Sequence, residues 1–125
     1  MMKQAKILIV EDDDEIVEVA IKALGTDYEI IEASDGREAF NLFKKYSPDL
    51  VITDIYMPRK DGLDLIEAIR SVSQVPIIVE SGGNISSLNH YFEYHQVARV
   101  LEKPFTAEEL TSAVKEVLLK DRSTS

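Results

Sequence analysis

The sequence predicts an α/β fold, a doubly wound parallel sheet with helices on both faces. Two observations carry this reading. Short apolar runs rich in β-branched residues alternate with stretches of helical periodicity, which is the pattern of repeated βα units. Two of those runs end in acids: Ile7-Leu8-Ile9-Val10 leads into Glu11 and Asp12, and Leu50-Val51-Ile52-Thr53 leads into Asp54. Unbroken apolarity over four residues marks strands covered on both faces, as in parallel sheets.

Five strands are expected, at residues 7–10, 28–32, 50–53, 76–79 and 99–101. The first helix opens at Asp12-Asp13-Asp14, where carboxylates complement the positive end of the helix dipole. It carries Ile16, Ala20 and Leu24 on one stripe, with Val17 and Ile21 beside it. The second begins at Ser34 or Asp35 and buries Ala39, Phe40 and Phe43; the third follows Asp61-Gly62 and buries Leu65, Ile66 and Ile69. The fourth is the thinnest, because Gly82-Gly83-Asn84 precede it and its stripe is only Ile85, Leu88 and Phe92, so this segment is expected to move. Phe92 should turn inward, leaving Tyr91 and Tyr94 semi-exposed or available to a partner. His90 and His95 lie roughly 140° apart on a helical wheel, so they read as solvated side chains and not as a metal pair. The last helix has a capping box, Thr106 with Glu109, followed by Leu110, Ala113, Val114, Val117 and Leu118. The polar residues 121–125 read as a frayed tail.

At 125 residues and 45% hydrophobic, the chain is expected to form one domain over 1–125, with its core at about 5–119 and a flexible end at 120–125. Fourteen Lys and Arg against 23 Asp and Glu give a net charge of −9, which argues against direct nucleic-acid binding and against anionic membranes. The lack of cysteine excludes disulfides, thiolate zinc sites and cysteine nucleophiles. The amino-terminal apolar stretch is too short for a signal peptide or a span, so a cytoplasmic location is expected.

Ligands of open α/β sheets bind at the carboxyl ends of the strands. Glu11, Asp12 and Asp54 should converge there, joined by Ser81 beyond the fourth strand and Lys103 beyond the fifth. Converging carboxylates repel one another unless a cation lies between them, and Mg²⁺ is a hard, oxygen-seeking ion that meets this need. Such a set can support phosphoryl transfer to a carboxylate, with Lys and Ser contacting the phosphoryl oxygens.

Four segments in order, Ile7-Leu8-Ile9-Val10-Glu11-Asp12-Asp13, Asp54-Ile55-Tyr56-Met57-Pro58 with Asp61-Gly62-Leu63, Pro76-Ile77-Ile78, and Lys103-Pro104-Phe105, make the chain resemble the receiver domains of two-component response regulators over about residues 5 to 119. The resemblance implies a flavodoxin-like three-layer sandwich with strand order 2-1-3-4-5; that order is already a standard example from this family and is not read from spacing. It implies that Asp54 accepts a phosphoryl group from a phosphohistidine, that Asp12 ligates Mg²⁺ directly and Glu11 through water, and that the backbone carbonyl of Tyr56 completes the protein ligands. Ser81 takes the family's hydroxyl position and Lys103 its cation position, with a cis bond between Lys103 and Pro104. The implied partners are a sensor histidine kinase or a histidine phosphotransfer protein and a downstream protein. On this reading the chain is no enzyme beyond its own phosphorylation and dephosphorylation. With no effector segment after about residue 119, the reading is a stand-alone receiver, a phosphorelay intermediate or a domain cut from a longer protein.

Three positions depart from the family pattern. Val100 stands where a ring is usual, which removes the familiar coupling of a ring to a hydroxyl. Glu80 occupies a place that is often apolar and reads as a rim residue pointing to solvent. Gly82 and Gly83 leave the loop beside the pocket unshielded. Two other functions compete: a pseudo-receiver that binds partners without phosphorylation, and a Mg²⁺ phosphatase of the haloacid dehalogenase type with Asp12 as nucleophile. The short chain and the unexplained Asp54 weigh against the phosphatase.

Overall fold

The computed structural model describes residues 4–56, 62–83 and 85–124. Met57, Pro58, Asp61 and Asn84, which the sequence singled out, lie outside the described residues. Five parallel strands, β1 (Lys6–Val10), β2 (Glu29–Ala33), β3 (Leu50–Asp54), β4 (Ile77–Ser81) and β5 (Arg99–Glu102), form one sheet in the order β2-β1-β3-β4-β5. The helices are α1 (Asp14–Leu24), α2 (Gly36–Tyr46), α3 (Gly62–Arg70), α4 (Asn89–Tyr94) and α5 (Ala107–Thr124).

Alternation along the strands divides the core into two layers. Ile7, Ile9, Leu50, Ile52, Ile78 and Leu101 pack against Ala20 and Leu24 of α1 and Leu110, Ala113 and Val114 of α5. Leu8, Val10, Val51, Ile77 and Val79 pack against Ala39 and Phe43 of α2, Leu65, Ile66 and Ile69 of α3, and Phe92 of α4. Each fully buried Leu or Ile contributes about 2 kcal/mol relative to exposure, so these two layers hold the sheet in register.

The caps follow local chemistry. Asp13 caps α1 by accepting from the Glu15 amide, and Asp35, the second of the two candidates, caps α2 by accepting from the Glu38 amide at 2.8 Å. The expected box at α5 is present: the Glu109 amide donates to Thr106 Oγ1 at 3.0 Å and the Thr106 amide donates to Glu109 Oε1 at 3.1 Å.

Several boundaries and environments differ from expectation. Strand β2 starts one residue late because the Tyr28 amide bonds to Leu24 O in the turn closing α1. Strand β4 runs two residues further than expected, so Glu80 and Ser81 lie inside it, paired with Asp54 and Glu102 respectively. Helix α5 continues to Thr124 through residues assigned to a frayed tail, since neither Gly nor Pro interrupts it. Phe40 is half-buried, stacked on Phe43 with the Lys44 ammonium over its ring. Helix α4 is only six residues long and follows a 3₁₀ turn at Ser86–Leu88, in keeping with its thin stripe. Phe92 is buried as expected, but Tyr91 also turns inward and donates its hydroxyl to Leu63 O at 2.6 Å. Tyr94 is exposed, His90 is exposed, and His95 packs against the rings of Tyr91 and Tyr94 instead of standing in solvent. Among the described residues no helix is long and apolar enough to cross a membrane.

Candidate phosphoryl and metal site

The carboxyl ends of β1, β3, β4 and β5 bring charged side chains to one side of the sheet. Ile9, Ile52, Ile78 and Leu101 all face the α1/α5 layer. With a period of two, Glu11, Asp54, Glu80 and Lys103 project to that same side. Asp54 and Glu80 are direct register partners on neighbouring strands, and Glu80 pairs in turn with Leu101.

Lys103 joins this row. Its Nζ is 2.9 Å from Asp54 Oδ2 and 2.8 Å from Glu11 Oε2. Burial works against the ammonium charge, but the Glu11 and Asp54 carboxylates outweigh it and hold the lysine pKa above its ordinary value. The amide of Lys103 donates to Ser81 O, and the following peptide bond to Pro104 is cis, as the resemblance implied.

Asp54 is buried, and its second oxygen, Oδ1, accepts from the Tyr56 amide at 3.1 Å. Behind it the backbone is close-packed: a Cβ on Gly62 would stand 2.3 Å from Asp54 O and 2.6 Å from Ile55 Cα. Glycine is required there by that approach. Glu11 is buried, with Oε1 accepting from the Asp13 amide, whereas Asp12 is exposed. One carboxylate oxygen from each of Glu11, Asp12 and Asp54 lies within 4.8 Å of the others.

This donor set fits a hard divalent cation. Three carboxylates converge, one of them open to solvent, and the buried Glu11 Oε2 faces the Lys103 ammonium at 2.8 Å, a place a divalent cation could share. The lysine ammonium is the one cation the described residues place between Glu11 and Asp54.

Ser81 is buried at the end of β4 with its Oγ accepting from the Gly83 amide at 3.2 Å, on the opposite pleat from the acids. Val100 is half-buried in the α2–α4 layer and no ring occupies that place. The loop is less open than Gly82 and Gly83 imply, because the Tyr56 ring comes within 3.7 Å of where a Gly83 Cβ would be.

Glu80 is the correction with most consequence. It does not point to solvent: it is 2% exposed, beneath Glu11 and beside Asp54. Burial, then a side-chain hydrogen bond shared with Glu11 and the charges of Glu11 and Asp54, push its pKa up to about 9, with Lys103 opposing. The one signal in the sequence was an acid at the end of Ile77-Ile78-Val79 where the strand had not yet ended.

Comparison with known proteins agrees with this geometry. The family model described as response regulator receiver domain matches residues 7–115. The chain is 38% identical over 117 residues to the probable transcriptional regulator ycf27 of Guillardia theta, covering 90% of this chain and 45% of that protein. It spans about half the length of the curated ycf27 relatives it matches. Among solved structures, the chemotaxis protein CheY4 of Vibrio cholerae superposes with a TM-score of 0.85 at 29% identity, covering 92% of this chain and 99% of that one. A response regulator receiver domain protein of Clostridium thermocellum gives a TM-score of 0.85 at 26% identity, covering 97% and 99%. With the family's model running through all five strands and the acids standing at their carboxyl ends, the chain belongs to the response regulator receiver domains of two-component signalling.

Proposed function

We propose that the chain is a phosphoacceptor that takes a phosphoryl group onto Asp54 from the phosphohistidine of a sensor histidine kinase or a histidine phosphotransfer protein. The observation that carries this reading is the buried Asp54 carboxylate held between the Tyr56 amide and the Lys103 ammonium, with Glu11 and Asp12 converging on it. In the transfer an Asp54 oxygen forms a bond to phosphorus while the N–P bond of the donor breaks, and the imidazole leaves with the bonding pair and takes up a proton.

Asp12, Asp54 and the carbonyl of Tyr56 would hold Mg²⁺, with Glu11 assisting through water. When bound, the ion neutralises charge on the phosphoryl oxygens. Lys103, which pairs with Asp54 and Glu11 beforehand, is within reach of an oxygen of the new acyl phosphate. Ser81 would offer its O–H to the same group, since its Oγ accepts from the Gly83 amide and the hydroxyl hydrogen is left to donate. The lysine pairs with Asp54 and not with Asp12, which favours Asp54 over Asp12 as nucleophile. The product acts by changing the binding of a downstream protein, in the cytoplasm.

Incubation with Mg²⁺ and acetyl phosphate or a phosphohistidine donor, followed by intact mass and peptide mapping, tests this. Stoichiometric phosphate on Asp54, absent in Asp54→Asn, is the expected result. Phosphate on Asp12, or labelling of Asp54→Asn at the wild-type level, refutes it.

A further inference from the structure

The segment between β4 and β5 is held differently at its two ends. At the carboxyl end of α4, Arg70 of α3 donates from Nε to His95 O at 2.6 Å and from Nη2 to Gln96 O at 3.3 Å. The same guanidinium donates from Nη1 to Val75 O at 2.7 Å and to Ser73 O at 3.2 Å, in the connection from α3 to β4. A fork of N–H groups suits the carbonyls that a helix end leaves without partners. It also fixes Gln96, a non-glycine residue at φ 56°, a conformation that persists where its surroundings hold it. At the other end neither the 3₁₀ turn nor α4 has a side-chain cap.

One turn before His95, Tyr91 donates its hydroxyl to Leu63 O at 2.6 Å. Leu63 follows Gly62, whose amide donates to Ile55 O at 3.1 Å and whose Cα lies against Asp54 O so closely that no Cβ fits. A shift of the main chain at Asp54 is therefore passed to the carbonyl that Tyr91 grips, because close-packed backbone transmits strain instead of absorbing it. Val100, in the same layer as Tyr91, offers neither ring nor hydroxyl for this task.

We infer that α4 is a hinged element: Arg70 pins its carboxyl end in both states, and the Tyr91–Leu63 bond is a catch made in the resting state and given up when Asp54 carries a phosphoryl group. This rests on Asp54 being the phosphoacceptor, as proposed above. Tyr91 stabilises the resting arrangement and opposes the switch, whereas Arg70 stabilises both arrangements alike. Of the two contacts, only the catch alters how tightly a phosphoryl mimic is held, because a contact kept in both states shifts no population.

Beryllofluoride is titrated into the full chain at saturating Mg²⁺ and followed by the amide resonances of β3, in wild type, Tyr91→Phe, Arg70→Met and Asp54→Ala. No binding is expected in Asp54→Ala. Half-saturation should fall about fivefold in Tyr91→Phe, the scale of one neutral hydrogen bond, and stay within about twofold of wild type in Arg70→Met. Amide exchange gives the complementary pattern. In wild type the mimic should alter exchange at residues 88–94 and leave Val97 and Ala98, whose amides bond to Phe92 O and Ile77 O, within about twofold. In Arg70→Met those two amides should exchange about tenfold faster with and without the mimic. If Arg70→Met does not unfold cooperatively, Arg70→Lys takes its place, with a smaller rise expected. Unchanged or weaker beryllofluoride binding in Tyr91→Phe overturns the catch and leaves the phosphoacceptor reading standing. Exchange at Val97 and Ala98 that responds to the mimic as strongly as residues 88–94 overturns the pivot. So does exchange there that loss of the guanidinium does not move, or an affinity shift in the Arg70 variant as large as in Tyr91→Phe. A wild-type chain that binds no beryllofluoride, or binding that survives in Asp54→Ala, overturns the phosphoacceptor reading and the inference together.

Discussion

Raising the pH should destabilise this domain through one buried acid, and Glu80→Gln should abolish the effect. A free glutamate titrates near 4.5, while Glu80 in the fold titrates at about 9, so between those values the folded state keeps a proton that the unfolded chain has released. Because the folded state binds more protons there, stability is fully present below about pH 4.5 and is lost as pH rises towards 9. A full proton of difference is worth about 1.4 kcal/mol per pH unit, so from pH 5.5 to 7.5 the wild type should lose about 2–3 kcal/mol more than Glu80→Gln. That is a large share of the 5–15 kcal/mol typical of a domain. The assay is urea unfolding of both proteins in chelator at half-unit pH steps, with the m-value checked for constancy. Parallel stability curves, differing by less than about 0.5 kcal/mol in slope across the window, would refute the placement of a neutral Glu80 beside Glu11.

Other perturbations follow from the same geometry. Lys103→Met leaves Glu11 and Asp54 without the ammonium between them and should cost about 3 kcal/mol without metal, part of which Mg²⁺ restores; urea midpoints that match wild type in chelator would count against the ion pairs. Gly62→Ala drives a Cβ into the backbone at Asp54 and Ile55 and should cost about 1–3 kcal/mol and lower the labelling of Asp54, which thermal melts and mass spectrometry would read. Tyr91→Phe removes the bond to Leu63 O and should cost about 1 kcal/mol, seen as faster amide exchange in α4 with little change in β1 and β3. Addition of beryllofluoride should change exchange most within residues 82–95, where a 3₁₀ turn and a six-residue helix follow β4; protection changes confined to α1 and α2 would move the output surface elsewhere.

Much of this protein is written locally. Asp13, Asp35 and the Thr106/Glu109 box start their helices through bonds made within four residues, and the apolar runs of β1 and β3 announce buried strands before any neighbour is known. Because acids follow those runs directly, Glu11, Asp12 and Asp54 were legible as one site, and Lys103 joined them by its place after β5.

The environment of Glu80 was not legible in this way. A carboxylate near a strand end reads as a rim residue, since its own polarity is the only local evidence. Its burial is decided by Asp54 and Leu101, its partners on two other strands, and by Glu11 on a third element. Tyr91 is a similar case: the wheel places it off the apolar stripe, but α4 is so short and so close to α3 that the hydroxyl finds Leu63 O. Hydrogen bonds and periodicity within one element depend on residues a few positions apart, so the chain reveals them in reading order. Desolvation and pairing of a charge depend on groups such as Lys103 and Asp54, 49 positions apart, and only the register of the closed sheet brings those together.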